Sequence, residues 1–134
     1  MFGSLDTSVS ALTAQRTRLN TISANLANQN SITNAQGEYE PYRRRIPVFA
    51  PGDPSTGNQQ GVHVREIMLD DAPLQQKFMP DHPFADEDGY VGFPNINSTV
   101  EKINALEAIR SYEANINAAE ATKTMMQQAM RLIA

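Results

Sequence analysis

The densest group of possible metal ligands lies at residues 81–89, with the sequence DHPFADEDG. Acidic residues two apart before a glycine are typical of a calcium loop, in which the glycine takes the sixth position. In that alignment the first and twelfth positions, which need carboxylates, are Phe84 and Asn95. One histidine, His82, is also too few for zinc, which takes three or four nitrogen or sulfur ligands. The segment is therefore predicted to be a solvated acidic turn and not a metal site.

No other pattern indicates catalysis. The absence of cysteine excludes disulfides, thiolate metal sites and cysteine nucleophiles. The chain also lacks a glycine-rich phosphate loop and a Gly-x-Ser-x-Gly nucleophile turn. His63 is expected on the surface of a strand. The sequence therefore argues against an enzyme, and no catalytic residue, cofactor or bound metal is predicted.

Charge and hydropathy exclude further classes of function. The chain has 11 basic and 15 acidic side chains, a net charge of −4, and no basic face of the kind that binds nucleic acid. No apolar run approaches the ~18 residues of a membrane span, so no membrane insertion is expected. The first residues also lack the basic start and apolar core of a cleavable secretory signal.

The helix-breaking residues divide the chain into three parts. All eight prolines lie between Pro41 and Pro94, and residues 4–36 and 95–134 contain neither proline nor glycine. This predicts an α+β protein with an N-terminal helix in residues 1–35 and a β-rich or irregular centre at 36–97. A C-terminal helix follows in residues 98–134.

The first arm carries a narrow apolar stripe that Arg16 and Ser23 interrupt. The helix is expected to fray near Asn28, where Asn and Ser side chains compete for backbone hydrogen bonds. The stripe consists of four leucines spaced seven apart and two neighbours: Leu5, Leu12, Leu19, Leu26, Val9 and Ile22.

The second arm begins with Ser98 and Glu101 at the spacing of a capping box. Its apolar residues alternate at gaps of mainly three and four, as in a coiled coil, and Lys123 is the one break. The stripe begins at Ala105 and continues through Ile109, Tyr112, Ile116, Ala119, Met126, Met130 and Ile133.

Two interpretations of the arms remain open. They can be ordinary helices of a small bundle, or their stripes can be assembly surfaces too narrow to form a monomer core. The second interpretation predicts that the two arms pair as a coiled coil and that both stripes, from Leu5 to Leu26 and from Ile109 to Ile133, are assembly interfaces.

The centre shows patterns of short strands. Alternation predicts strands at 42–48, 62–68 and 74–79, and a turn at 88–89 that leads into a short extended segment. Composition predicts a loop at 50–58. Seven of the nine aromatic residues lie in this centre, which indicates a small core of its own.

Three details refine the central strands. Pro47 marks an edge strand or a bulge, and the second strand is expected to slip in register at Glu66. In the Arg43–Arg45 triplet, strand alternation sends Arg44 to the opposite face from its neighbours, so the triplet is not one basic patch. A solvated strand is favoured over a site for an acidic partner.

Three groups of residues form distinctive motifs: Ala24, Asn25, Ala27 and Asn28; His82, Pro83, Asp86, Gly89 and Tyr90; and Tyr112, Glu113, Ala114 and Asn115. These motifs resemble those of bacterial flagellar rod and hook proteins, and in particular of their proximal-rod branch. Shorter matches occur at 42–44, 61–64 and 94–97, whereas residues 31–34 depart from the threonine-rich sequence that is usual in the family. The resemblance covers nearly the whole chain in the right order.

The resemblance implies a structural subunit of the periplasm-spanning flagellar rod, with the terminal helices paired inside a tubular assembly. The implied partners are other rod proteins, copies of the same chain and the flagellar type III export apparatus. Export would occur without signal cleavage. A small cytoplasmic coiled-coil adaptor remains an alternative. A protein whose helices lie on a membrane surface is a second alternative, which the scarcity of Lys and Arg on the arms weakens.

Overall fold

A computed structural model describes residues 2–134 and confirms the α+β class. Four strands lie between two long terminal helices in chain order, and they form two separate antiparallel pairs. The elements are α1 (Phe2–Ala27), β1 (Arg45–Asp53), β2 (Asn58–Leu69), β3 (Gln75–Phe78), β4 (Tyr90–Phe93) and α2 (Ser98–Ile133).

Helix α1 satisfies most of its own hydroxyl groups. Thr13 donates to the Val9 carbonyl and Thr17 to the Thr13 carbonyl, and other Ser and Thr side chains repeat this contact with the preceding turn. These hydroxyl groups therefore bond within the 26-residue helix itself. The helix ends at Ala27, next to Asn28 where fraying was expected, and does not continue to residue 35.

Helix α2 starts differently from the prediction. The N-cap is Asn97, whose side-chain oxygen accepts hydrogen bonds from the backbone N–H groups of Thr99 and Val100. The predicted capping box of Ser98 and Glu101 is therefore wrong. Glu101 instead points inward and is only 1% exposed, because it pairs with an arginine of the centre.

The two helices pack side by side in antiparallel orientation. Arg18 reaches Glu107 at 3.4 Å, and Asn25 reaches Glu101 at 3.5 Å. Ala108 is fully buried in α2. Since α2 has 36 residues and α1 has 26, and the two are level at the Asn25 end, the other end of α2 extends about 15 Å beyond α1.

Strands β1 and β2 form a hairpin with a β-bulge. Val48 pairs with Glu66 and Phe49 with Val64, so Arg65 is the extra residue of β2, next to the predicted slip. The predicted loop at 50–58 is too long, because β1 continues through Asp53 and leaves only residues 54–57 between the strands.

The hairpin lies along α1. The backbone N–H of Val62 donates to the Ser10 hydroxyl at 3.1 Å. His63 is half-buried and its Nδ1 lies 2.7 Å from the Gly52 carbonyl oxygen, so the expected surface position was wrong. One face of α1 is therefore covered by the hairpin and another by α2.

Strands β3 and β4 form the second pair, which confirms the predicted strand at 74–79 and the short extended segment after the 88–89 turn. Their small core contains Ile32, Val91 and Phe93, with Phe84 and Ala85 packed against it. Two aromatic residues of the centre, Phe84 and Phe93, therefore belong to a small core, and Ile32 from the segment after α1 completes it. The other aromatic residues of the centre lie outside this core, and most of them are exposed.

Candidate assembly surface

A cluster of polar side chains fixes the base of the hairpin to both helices. The amide of Asn25, which is 1% exposed, donates to the Arg45 carbonyl at 2.9 Å and accepts from the Arg45 backbone N–H at 2.9 Å. These two bonds extend the ladder of β1 onto the side chain of a helical residue. Asn25 therefore sets where the hairpin begins relative to α1.

The charged part of this cluster lies beside Asn25. Arg44 Nε donates to Glu101 Oε1, and Arg44 Nη1 lies 3.9 Å from Asp70. The expectation of a solvated strand was wrong for Arg44, because its guanidinium is paired with the buried Glu101. Nothing in the local sequence pattern shows which carboxylate of α2 turns inward, so this contact was not predictable from the sequence.

Tyr42 completes the polar cluster. Its hydroxyl donates to Asn25 Oδ1 at 3.1 Å. Burial raises the pKa of Tyr42; the positive charge of Arg45 lowers it in part, and the negative charge of Glu101 adds to the rise. The phenol is therefore held in its neutral form, which can donate to Asn25.

The other residues of the first motif have local roles. Asn28 donates to the Ala24 carbonyl at 2.9 Å and accepts from the Ser31 hydroxyl at 3.1 Å, which closes the end of α1. Ala24 is half-buried and Ala27 is exposed. Asn25 and Asn28 thus terminate the helix and anchor the chain that leaves it.

The acidic turn is held together by side chains that accept hydrogen bonds from its own backbone. Asp86 Oδ1 accepts from the N–H groups of Asp88 and Tyr90 at 3.0 and 2.8 Å. His82 Nδ1 accepts from the N–H of Phe84 at 3.1 Å. Gly89 takes a left-handed φ of 84°, and an added Cβ would lie 3.0 Å from the Phe78 ring. These contacts shape the entry to β4.

The same turn does not bring together a set of ligands. Between residues 2 and 134, no three His, Cys, Asp or Glu side chains are grouped so that they could hold a metal ion. Pro83 and Asp86 are exposed, and Tyr90 stacks edge-on against Phe78 at 5.3 Å. The motif residues His82, Asp86, Gly89 and Tyr90 therefore share a structural turn.

The leucines of α1 lie on the side away from the hairpin. Thr17 faces the hairpin, where it lines a cavity, and Arg18 faces α2. Each residue turns the helix by about 100°, so Leu19 points about 200° away from Thr17 and thus away from the hairpin. We call the four residues of this row the leucine column: Leu5, Leu12, Leu19 and Leu26. All four are only half-buried, whereas Ile22 is buried and Val9 is exposed.

The apolar stripe of α2 is divided between two faces. Ala108 is buried against α1, so Ile109, about 100° further round, turns away from it and remains 41% exposed. On one side of Ala108 around the helix, Asn104 lines a cavity with the hairpin. Ile109 lies on the other side of Ala108, which is the side of the helix pair that carries the leucine column. Of the predicted stripe, the half-buried residues are Ala105, Tyr112, Ile116, Ala119 and Met126.

The end of α2 that extends beyond α1 is apolar on several sides. Met130 is 60% exposed, Ile133 is 87% exposed, and Met125 and Leu132 are also exposed. Exposed apolar residues on successive turns of a free helix end are typical of a surface that a partner covers.

The motif at residues 112–115 has residues on both the half-buried and the exposed side of α2. Asn115 is half-buried and donates to the Ser111 carbonyl at 2.8 Å, and Tyr112 is half-buried on the same face. Glu113 and Ala114 are exposed.

Comparison with known proteins agrees with these features. The family model described as "Flagella basal body rod protein" matches residues 5–36, and "Flagellar basal body rod FlgEFG protein C-terminal" matches residues 87–132. A flagellar basal-body rod protein FlgC from Yersinia enterocolitica is 39% identical over 95% of this chain and 93% of its own. The chain belongs to the FlgC family of flagellar basal-body rod proteins.

More distant members of the FlgC family match equally completely. Those of Bacillus subtilis and Borreliella burgdorferi are 37% and 35% identical, over 98% and 99% of this chain and 97% of each relative. This rod protein is a structural subunit of the flagellar basal body. In the part of the rod subunit that the structure describes, no helix is long and apolar enough to cross a membrane.

Proposed function

We propose that this rod subunit assembles through the hairpin-free side of its helix pair, where the leucine column and Ile109 face outward. The observation that carries the proposal is that the four leucines, spaced by seven, are only half-buried in the protomer. A buried leucine contributes about 1.5–3 kcal/mol more than an exposed one, so covering this row would favour assembly. Copies of the chain and other rod proteins are the proposed partners.

We also infer that the stripe residues of the two helices act in different contacts. Ile22 and Tyr112 hold α1 and α2 together, whereas the leucine column, Ile109 and Met130 remain available to neighbours. The role is structural and involves no catalysis. The polar cluster would fix the angle of the hairpin on each subunit, so that every copy presents the same surface.

We further propose that the rod subunit acts in the proximal, periplasm-spanning part of the rod and reaches it through the flagellar type III export apparatus without signal cleavage. Resemblance to the proximal-rod branch supports this. Mass spectrometry of the protein from purified basal bodies should find peptides that include Leu5. A mature chain that begins beyond Leu12 would contradict export without cleavage.

The test of the assembly surface is the double variant Leu12→Asp with Leu19→Asp. Truncating a buried leucine costs about 2–5 kcal/mol and an unpaired carboxylate costs more, so the variant should fail to restore motility to a strain that lacks the protein. The matched control is Thr13→Asp with Asn20→Asp, two exposed α1 residues also spaced by seven. The control should support motility.

The variant must also be shown to fold. The central tyrosines lie outside the leucine column, so near-ultraviolet circular dichroism of the purified Leu12→Asp, Leu19→Asp protein should match that of the wild type. Motile cells with complete rods in electron micrographs would contradict the assembly proposal.

A further inference from the structure

Arg16 on α1 and Glu113 on α2 each lie between exposed or half-buried apolar residues at the same spacing. On α1, Arg16 follows Leu12 by four residues and precedes Leu19 by three. On α2, Glu113 follows Ile109 by four and precedes Ile116 by three. The two rows therefore carry opposite charges at equivalent positions.

Neither charge is used inside the protomer. Within residues 2–134, Arg16 and Glu113 form no ion pair, although Arg18 pairs with Glu107 at 3.4 Å across the helix interface. Arg16 lies two residues from Arg18, a rotation of about 200°, so it points away from α2 of its own protomer. Both Arg16 and Glu113 are exposed.

Other acidic residues of α2 are poorer partners for Arg16. Glu107 is already paired with Arg18. Glu120 follows Ile116 by four residues but precedes Lys123 by three, so a second cation would lie beside Arg16. Glu113 is the acid whose neighbours in the row are apolar on both sides.

We propose that Arg16 of one copy pairs with Glu113 of a second copy and sets the register in which the leucine column of the first packs on the Ile109–Ile116 row of the second. Exposed ion pairs add little affinity, but charges at a helix–helix seam select register and partner. Because the two rows differ, the contact is heterologous and can continue from copy to copy. This inference rests on the proposed assembly surface.

The first experiment is charge reversal in the full chain, with motility of a strain lacking the protein as the measurement. Arg16→Glu and Glu113→Arg should each reduce the fraction of motile cells by about tenfold or more, because each brings like charges together. The two changes in one chain should restore motility. Wild-type motility of both single variants would overturn the charge pair, while loss of motility in the Leu12→Asp, Leu19→Asp variant would still support the assembly surface.

The second experiment identifies the partner by disulfide trapping. The chain has no cysteine, so Arg16→Cys and Glu113→Cys, expressed as separate chains in the same strain, carry the only thiols of this protein. Oxidised basal bodies should contain a covalent dimer of the two chains. Replacing Glu113→Cys by Ala118→Cys, an exposed α2 residue five positions on, should abolish it. Complete rods without the dimer, or Arg16→Cys trapped on a different protein, would overturn the proposal.

Discussion

Removing the guanidinium of Arg44 is expected to be among the most destabilising single changes in the centre. Its partner Glu101 has a side chain that is 1% exposed, and without Arg44 the remaining donor is the Asn25 amide at 3.5 Å, the limit of a hydrogen bond. Breaking a buried ion pair by removing one partner costs about 3–5 kcal/mol. Because the Arg44 side chain is 24% exposed, we expect Arg44→Met to cost about 3 kcal/mol, at the lower end.

The assay is urea unfolding of the purified protein, followed by far-ultraviolet circular dichroism at neutral pH. The matched control is Arg65→Met, because the Arg65–Glu66 pair at 2.8 Å has side chains 61% and 51% exposed. Such surface pairs contribute about 0–1 kcal/mol. The double variant Arg44→Met with Glu101→Met should lose less stability than Arg44→Met alone, since no buried charge is left unpaired. Equal losses for Arg44→Met and Arg65→Met would refute this reasoning.

Two further predictions concern the hairpin and the polar cluster. Gly52→Ala should destabilise the protein more than Gly57→Ala in urea unfolding: both glycines have positive φ, but only at Gly52 would the new Cβ lie 2.8 Å from a backbone oxygen, that of Asn58. Burial raises the pKa of Tyr42, so its contribution to stability is present below its unfolded value of about 10 and is lost as pH rises through the folded value. Tyr42→Phe should remove this loss and the latest-titrating part of the tyrosinate absorbance; an unchanged alkaline limb would contradict it.

Local residue chemistry was sufficient to predict the order of elements. The proline- and glycine-free ends became α1 and α2, and the alternating segments of the centre became strands, because these preferences act within a few residues. The slip near Glu66 was also visible as a break in alternation. The predicted 50–58 loop was too long because pairing with β2 extended β1 to Asp53, and such a contact is not local.

The assembly interface stays a prediction, but the tertiary structure decides which part of each stripe a neighbour can reach. The spacing on α2 is compatible with two adjacent faces, since Ile109 and Ala108 differ by one residue. Contact with α1 buries Ala108, whose small side chain permits close approach, and leaves Ile109 outside.

The polar cluster could not be predicted from sequence patterns, because its contacts also join residues that are far apart in the chain. Glu101 was assigned to a cap and Arg44 to a solvated strand, and each assignment satisfied its local rule. Their pairing joins positions 57 residues apart and depends on where α2 returns past α1 and the hairpin. The sequence by itself therefore determined the elements and the family motifs, whose causes are short-range. Only the tertiary structure decided the buried partners and the exposed side of the helix pair, because packing selects one face among several that the periodicity permits.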